Sequence, residues 1–347
     1  MKQIEYLVVG LGIAGVSFCE QLRKHNKSFV VFNGGEQAST AVSGGVFNPV
    51  VLKRFTAAWE AKAHLEYAIP FYHELARLLQ IQVIHTLPVY RILKNTEEQN
   101  NWSVASDKRE LSSFLSSELE TNTNPEINAP YGFGKVIVSG RIYPSQLLQK
   151  YAEYLAMHRQ YHAEAFDYQE LTISEASIRY KEYSAKRIIF AEGAAARFNP
   201  FFPKDLIRPN KGEYLVIKAP NLQLSNLLKG GMFVIPLGDD LYKVGATYDR
   251  EDTTLEPTDS ARQEILHKLK DMIRCAFEIV DQIAGLRPTT PDRRPLLGTH
   301  QQYEQIAFFN GLGTRGILMA PKLASYLFDH LEHGETLPKE VRLDRFS

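Results

Sequence analysis

The first 33 residues contain two short apolar runs separated by a longer stretch of mixed polarity. Residues 4–9 are apolar or aromatic apart from Glu5 and rich in β-branched side chains, which predicts a buried strand. The stretch over residues 13–24 predicts a helix, and the second apolar run, residues 29–32, predicts another strand. This order predicts a β-α-β unit, from which parallel sheets are built.

The middle of the chain shows a different pattern. Residues 83–95, 210–220 and 231–248 alternate apolar and polar positions between short turns, including one at residues 238–240. Such alternation predicts an antiparallel sheet. Further helices are predicted over residues 57–80, 107–119 and 259–277. Thr258 or Asp259 is expected to cap the last of them, and Pro70 is expected to break or kink the first.

Three glycines with the spacing G-x-G-x-x-G connect the first strand to the first helix. Gly10 makes the tight turn, Gly12 lets the backbone approach a pyrophosphate, and Gly15 lets helix and strand pack closely. The backbone amides at Ile13 and Ala14 would face the phosphate oxygens, and the helix dipole would favour that negative charge. The segment therefore predicts a dinucleotide site.

Asn33 ends the β-α-β unit at the position where a dinucleotide site usually carries an acidic residue. Its side-chain amide can accept and donate hydrogen bonds to a ribose, but without charge, so the expected cost is affinity. Alternatively, Asn33 is a turn residue before Gly34 and Gly35, and another group holds the ribose. Both interpretations stay open.

Five later segments carry a resemblance to a known family. They are "ASTAVSGGVFNPV" (38–50), "SGRIYPSQLLQKY" (139–151), "RIIFAEGAAA" (187–196), "GLRPTTPDRRPLLG" (285–298) and "FFNGLGTRGILMAPKLASYLFDHL" (308–331). In this order and spacing, the chain resembles the D-amino-acid oxidase and glycine oxidase family of FAD-dependent oxidoreductases nearly end to end. The resemblance implies an α/β fold, α+β overall, in which a Rossmann-like FAD-binding domain is interleaved with an antiparallel-sheet substrate domain.

Because the flavin segments lie at both ends and in the middle, the domains must be discontinuous. The FAD-binding domain is expected over residues 1–82, 138–213 and 280–347. The substrate domain is expected over residues 83–137 and 214–279.

The resemblance also implies which residues hold FAD. Glycines before the last helix would place free amides and a positive helix end beside the flavin, where reduction adds negative charge. Phe166 lies where relatives often place an apolar residue against adenine, although a core position is the alternative. Cys19 and Cys275 lie away from the positions that tether flavin covalently, so non-covalent FAD is expected. The cofactor-binding residues are expected to be Gly10, Gly12, Ile13, Ala14, Gly15, Asn33, Ser39, Thr40, Ser43, Gly44, Gly45, Phe166, Gly193, Gly313, Thr314, Arg315, Gly316 and Ile317.

Arg287 matches the arginine that clamps the substrate carboxylate in similar enzymes, a role that suits a guanidinium because it can form two parallel hydrogen bonds. A structural ion pair is the alternative for Arg287. Tyr248 and Phe233 are candidates to line the pocket; core packing is the default alternative for Phe233, and for Tyr248 both interpretations stay open. In similar oxidases a tyrosine near this position helps hold the carboxylate, so Phe233 lacks that hydroxyl.

These residues predict an FAD-dependent oxidoreductase. It would oxidise a small amine or amino acid bearing a carboxylate by hydride transfer to flavin, giving an imine that hydrolyses. The electron acceptor would be oxygen or a quinone. A nicotinamide-dependent dehydrogenase and a non-catalytic flavoprotein are alternatives.

One departure opens a further alternative. Glycine oxidase-like sequences tend to carry arginine where this chain has Thr314. The form "GLGTRGI" resembles the oxidase half of the bifunctional tRNA wobble-uridine modification enzyme, which removes a carboxymethyl group from an amine.

Composition narrows these possibilities. The 40 basic and 40 acidic side chains cancel, which argues against a nucleic-acid surface. Two cysteines without metal-ligand spacing fit a reducing cytosol, and no apolar run is long enough for a membrane span. The first predicted strand starts at Ile4, so we expect no cleavable signal peptide and a cytoplasmic protein.

Overall fold

The structure, a computed structural model, describes residues 1–34, 39–175 and 177–346. Gly35 and Ala38, which the sequence places in a turn and a small-residue loop, lie outside the described residues. Within these ranges the α-helices are α1 (Ile13–Lys24), α2 (Ser39–Val42), α3 (Ala61–Leu79), α4 (Thr96–Ser106), α5 (Pro144–Met157), α6 (Asp259–Lys270) and α7 (Gly316–His333).

The strands belong to four sheets. They are β1 (Lys2–Val9), β2 (Phe29–Phe32), β3 (Val46–Phe47), β4 (Val50–Val51), β5 (Thr56–Ala57), β6 (Ile84–Thr86), β7 (Val89–Ile92), β8 (Phe133–Val136), β9 (Gly140–Ile142), β10 (Tyr161–His162), β11 (Thr172–Ile173), β12 (Ile178–Tyr180), β13 (Tyr183–Phe190), β14 (Arg208–Lys218), β15 (Leu227–Lys229), β16 (Phe233–Gly238), β17 (Leu241–Gly245), β18 (Glu278–Thr289), β19 (Leu296–Thr299) and β20 (Ile306–Asn310).

The sheet built around β1 has a parallel centre. Strands β10, β2, β1, β13 and β20 run parallel in this order, and β12, β11 and β19 add antiparallel edges. Helix α1 joins β1 to β2, which confirms the predicted β-α-β unit. Helix α1 also packs against the C-terminal helix α7, which follows β20. The two ends of the chain therefore meet on one face of this sheet.

The second large sheet is the predicted antiparallel one, with the strand order β18-β14-β17-β16-β15-β7-β8 and a single parallel pairing between β15 and β7. The turn predicted at residues 238–240 joins β16 to β17. One face packs against α6 through a cluster that includes Leu215, Val244 and Ile265. Ile235 faces the other way, into the cluster that also holds α1 and α7. This inner face therefore looks towards the parallel sheet.

The domain division remains a prediction. Strands β14 and β18 pair along nearly their whole length and cross its borders, which were placed after residues 213 and 279. These two strands connect the surroundings of the parallel sheet to the antiparallel sheet.

Two helix predictions need correction. No helix covers residues 107–119; instead α4 precedes them, and its N-cap Asn95 accepts the Glu98 amide at 2.8 Å. Consecutive turns place Leu111 and Leu115 in the core with the spacing of a helix. The predicted helix over residues 259–277 ends at Lys270, although its cap at Thr258 is confirmed.

Pro70 does not break the helix, because α3 continues through it, and the alternative, a kink, stays a prediction. Proline removes the hydrogen bond to the carbonyl four residues earlier. Pro70 and Glu66, which carries that carbonyl, are both exposed, so water can satisfy the free oxygen.

Helix α7 also contains a proline that leaves one carbonyl without a backbone donor, and there the carbonyl is inside the protein. Pro321 frees the carbonyl of Ile317, and the buried Tyr72 hydroxyl donates to that oxygen at 2.6 Å. No helix in the described ranges is both long and apolar enough to cross a membrane.

Candidate cofactor and substrate site

The glycine turn after β1 has the geometry of a dinucleotide loop. Gly10 has a φ of +94°, and a Cβ there would lie 2.5 Å from the Ala191 carbonyl oxygen. Gly15 packs so closely that a Cβ would overlap the Gly10 carbonyl. Gly12 is the N-cap of α1, and its nearest neighbour, the Thr40 hydroxyl, would be 3.6 Å from a Cβ. Gly10 and Gly15 therefore perform the steric roles predicted for them, and the approach of a pyrophosphate to Gly12 stays a prediction.

Two polar side chains complete this turn. Thr40 on α2 accepts the Ile13 amide at 3.2 Å, at the start of α1. Asn33 accepts the Leu11 amide at 2.9 Å and donates to the Tyr161 hydroxyl at 3.3 Å. Asn33 therefore stabilises the glycine turn from β2, and its contact with a ribose remains a prediction.

The last glycine turn lies beside the first. Gly313 has a φ of +53°, and its amide donates to the Pro288 carbonyl at 2.9 Å. A Cβ on Gly316 would be 3.1 Å from the Ile13 side chain, so the N-termini of α1 and α7 converge. Thr314 is exposed. The structure thus brings together two helix ends that are 300 residues apart in sequence.

The small residues after β2 fill narrow spaces. Gly44 leaves no room for a Cβ because the Ile235 side chain occupies that position, and Gly45 has a φ of +67° against the Ile142 carbonyl. The Ser43 hydroxyl donates to the Thr40 carbonyl at 2.8 Å. Ser39 lies on α2, Ala14 on α1 and Ile317 on α7. The segment after β2 therefore packs against the inner face of the antiparallel sheet at Ile235.

Gly193 and Phe166 lie on the other side of the parallel sheet's carboxyl edge. Gly193 has a φ of +59°, and no atom of the described residues lies within 4 Å of a Cβ placed on it. Beside it, burial raises the pKa of Glu192 to about 7, although hydrogen bonds from Tyr168 and Asn199 oppose the shift. Phe166 stacks on Tyr180 at 4.1 Å, within an aromatic core cluster. Its contact with adenine stays a prediction.

Arg287 is held in place entirely by uncharged oxygens. Its Nη1 donates to Asn210 Oδ1 at 3.1 Å and to the Lys211 carbonyl at 3.2 Å, and its Nη2 donates to the Thr247 carbonyl at 3.1 Å. No carboxylate in the described part of the chain forms a salt bridge with it, so the structural ion pair considered from the sequence is absent among those residues. The guanidinium is fixed, partly buried and uncompensated.

The other two residues expected at the substrate, Tyr248 and Phe233, differ in their position relative to Arg287. Tyr248 is exposed, and its ring lies 4.4 Å from the Arg287 guanidinium carbon. Arg315, the N-cap of α7, is close enough to Tyr248 to interact electrostatically and donates to the Asn48 carbonyl at 2.9 Å. Phe233 pairs with Gly245 on the inner face of the antiparallel sheet and lies under the Lys229 ammonium at 5.2 Å. Tyr248 is thus at Arg287, whereas no contact links Phe233 to it.

Sequence reasoning missed two inner-face residues near Arg287. Tyr214 lies close enough to the Arg287 guanidinium and the Gly44 amide for both to lower its pKa, although burial raises that pKa overall. Lys243 is buried, and its ammonium donates to the Val42 carbonyl at 2.9 Å and the Ser43 carbonyl at 3.2 Å. Burial and the Arg141 charge lower the pKa of Lys243 to about 8. The strand period of two is the only sequence signal for them, because it aligns Tyr214 with Gly212 on one face.

These residues fit FAD. Beside Gly12, Gly193 and Gly313, a Cβ would meet no described residue nearer than 3.6 Å, so their backbone is accessible to a ligand as far as the described residues show. Two helix N-termini offer free amides and positive dipole ends to phosphate and to the flavin. The antiparallel sheet covers this region and contributes Arg287, Tyr214 and Lys243.

Comparisons with known proteins agree with this geometry. Residues 5–330 match the sequence model of the DAO family, described as FAD dependent oxidoreductase. The chain is 26% identical to glycine oxidase of Bacillus licheniformis over 94% of its length and 93% of that protein. It is 24% identical to the tRNA 5-methylaminomethyl-2-thiouridine biosynthesis bifunctional protein MnmC of Maricaulis maris, over 94% of its length and 52% of that protein. The crystal structure of glycine oxidase from Geobacillus kaustophilus has the same fold, with a TM-score of 0.81, 18% identity and coverage of 97% and 96% of the two chains.

Proposed function

This chain belongs to the DAO family of FAD-dependent oxidoreductases, and we propose that it oxidises a small amine or amino acid that carries a carboxylate. The state of Arg287 carries the proposal: three neutral oxygens hold the guanidinium, and no described carboxylate neutralises it. A fixed and uncompensated guanidinium is suited to bind a substrate carboxylate through paired hydrogen bonds. The nicotinamide alternative is wrong, because the family uses FAD.

Bound FAD would supply the two-electron acceptor, taking a hydride from the carbon next to the substrate nitrogen. The protein's task is orientation, because the carbon–hydrogen bond must point at the flavin. Arg287 would hold the carboxylate end, which fixes the distance between that end and the reacting carbon. Loss of the hydride and of one proton from nitrogen leaves an imine, which water hydrolyses to a carbonyl compound and an amine.

The local charge would favour the reactive form of the substrate. Arg287, Arg315 and Lys243 all lie around the inner face of the antiparallel sheet, near Tyr214 and Tyr248. Nearby positive charges disfavour protonation of a bound amine. Only the neutral amine can release its electron pair into a carbon–nitrogen double bond. The reduction rate should therefore rise with pH.

We further propose that FAD is held without a covalent bond. Cys19 is fully buried within α1, and Cys275 packs on the outer face of the antiparallel sheet, opposite Arg287. Acid precipitation should then release all of the flavin into solution. Oxygen or a quinone would reoxidise the flavin, and the scarcity of cysteine supports a cytoplasmic location.

The test is anaerobic flavin reduction against a panel of amino acids and N-substituted glycines. At least one carboxylated amine should bleach the visible flavin band, while its decarboxylated analogue should react far more slowly. Arg287→Ala should raise KM for that amine by roughly 100-fold at unchanged FAD content, since a charged hydrogen-bonded pair is lost. Equal KM values for Arg287→Ala and the native enzyme would exclude Arg287 as the residue that binds the substrate carboxylate.

A second candidate is oxidation of a carboxymethylamino group on modified tRNA. The match to the bifunctional MnmC of Maricaulis maris favours it, because that match covers 94% of this chain. The chemistry at Arg287 would be the same, since the group removed ends in a carboxylate. Anaerobic bleaching by tRNA that carries a carboxymethylaminomethyl uridine, without bleaching by any free amine in the panel, would favour this candidate over the first.

A further inference from the structure

Tyr214 occupies a central position on the inner face of the antiparallel sheet. It lies on β14 two residues after Gly212 and pairs with Gly245 on β17. A Cβ on Gly245 would lie 2.6 Å from the Tyr214 ring, so this glycine provides space for the ring. On the other side of Gly245, Phe233 pairs with the same residue from β16. Two aromatic side chains therefore flank Gly245, and only Tyr214 carries a hydroxyl.

The surroundings of the Tyr214 hydroxyl consist of donors. The Arg287 guanidinium lies over Gly212, two residues before Tyr214 on the same face, and the Lys243 ammonium lies 5.2 Å from the Tyr214 ring. The Arg287 charge and the Gly44 amide both lower the pKa of Tyr214, although burial raises it overall. A tyrosine hydroxyl has one proton to donate and lone pairs to accept. Its charged neighbours are cations, and among the described residues no hydrogen bond uses the Tyr214 proton. The proton is thus available to an anion beside Arg287.

Resting on the proposed function, we infer that Tyr214 donates a second hydrogen bond to the substrate carboxylate that Arg287 holds. Tyr214 thereby provides from β14 the hydroxyl that Phe233 lacks on β16. Each strand in a sheet lies roughly 4.8 Å from the next, and β14 is the immediate neighbour of β18, which carries Arg287. The carboxylate would consequently bind at the β14–β18 side of the sheet, next to Gly44 and away from Phe233.

Tyr214→Phe removes the hydroxyl and nothing else, which makes it the test variant. The probe is acetate, a bare carboxylate, whose binding to the holoenzyme is followed through the visible flavin spectrum. A hydrogen bond to a charged group is lost, so the Kd for acetate should rise roughly 10- to 100-fold. KM for the best amine should rise in parallel, and kcat should stay within about twofold of the native value because the clamp acts on binding. Tyr242→Phe is the matched control and should leave the Kd for acetate unchanged, because Tyr242 lies on the outer face of the same sheet.

A comparison with Arg287→Ala separates the role of Tyr214 from the proposed function. Acetate affinity that is native in Tyr214→Phe but weakened in Arg287→Ala would overturn the role of Tyr214 and leave the proposed function standing. Native acetate affinity in both Tyr214→Phe and Arg287→Ala would reject the role of Tyr214 and the proposed function together. Loss of FAD from Tyr214→Phe, with native acetate affinity in the remaining holoenzyme, would also overturn the inference and place Tyr214 in the cofactor loop.

Discussion

The guanidinium of Arg287 occupies the space that a side chain on Gly212 would fill. Gly212 on β14 pairs with Gly285 on β18, and a Cβ on Gly212 would overlap Nη2 and Cζ of Arg287. Bare backbone at this position thus allows Arg287 to turn back across the neighbouring strand. There it meets the Lys211 and Thr247 carbonyls.

Gly212→Ala should therefore displace the guanidinium without unfolding the sheet, because the overlapping atoms belong to the end of a flexible side chain. Misplacement of a substrate-positioning group by about 1 Å can cost as much as 100-fold in rate, so we expect kcat/KM to fall at least tenfold. FAD content should remain native. Steady-state kinetics with the best amine provides the measurement. Gly231→Ala is the control, since its Cβ would meet nothing closer than Lys268 Cβ at 3.4 Å; similar losses in both variants would disprove the specific role of Gly212.

Tyr72→Phe should destabilise the protein by about 1–3 kcal/mol, the usual cost of a buried acceptor left without a donor. The variant deprives the Ile317 carbonyl of the hydroxyl that replaces the bond blocked by Pro321. Urea unfolding of the holoenzyme measures the change in free energy. Tyr326→Phe, which loses only a partly exposed hydrogen bond to Glu60, should change stability much less. Equal effects would mean that water or another group satisfies Ile317.

His64 should make the protein sensitive to mild acid. The residue is buried in α3, and neither ring nitrogen has a hydrogen-bond partner among the residues that the structure describes. Burial together with the Lys322 charge lowers the pKa of His64 to about 4. The unfolded chain protonates His64 near pH 6.5, whereas the folded protein does not until about pH 4. The stabilising contribution is therefore complete above pH 6.5 and is lost as pH falls, by about 2 kcal/mol between pH 7 and pH 5.

His64→Leu should remove that part of the pH dependence, as measured by urea unfolding at pH 7 and pH 5. His73→Gln, on the exposed side of the same helix, should leave it intact. An identical loss of stability between the two pH values in native protein and His64→Leu would show that other groups are responsible.

Variants of Asn33 should distinguish the two interpretations of this residue. Asn33→Ala removes the acceptor of the Leu11 amide and should weaken FAD binding roughly tenfold, because a buried amide loses its partner. Asn33→Asp keeps an acceptor for Leu11 and adds charge. If Asn33 also holds the ribose, the aspartate should bind FAD more tightly than native protein; if it serves only the turn, affinity should stay the same. Reconstitution of apoprotein with FAD, followed by flavin fluorescence, gives the Kd. Native FAD affinity in Asn33→Ala would exclude both interpretations of Asn33.

The sequence predicts the parts of this fold that depend on local chemistry. The bounds of α1 and β2 agree with the pattern because a buried strand, a glycine turn and an amphipathic helix each have a short-range signature. The Thr258 cap of α6 is predictable for the same reason. The helix predicted over residues 107–119 is wrong because Leu111 and Leu115 have a helical spacing while the backbone forms separate turns.

Residues brought together by sheet register were not predictable. Tyr214 reaches Arg287 because β14 pairs with β18 in one particular register, and a shift of a single residue would turn it to the other face. The usual alternation does not reveal it either, since Glu213 and Leu215, on the opposite face, are buried as well. The position of Lys243 was not predictable for a related reason, because the carbonyls that it binds lie at least 200 residues away in the sequence.

The long pairing of β14 with β18, whose register shifts once between Val216 and Ile217, has a mechanical consequence. Eleven residues of β14 pair with β18 between the two sheet regions, and paired strands resist bending. We therefore do not expect the two sheets to move apart about a hinge. Substrate must instead enter past individual side chains at the rim. Tyr248, which is 68% exposed and lies on the guanidinium, is placed to be the first of them to move aside.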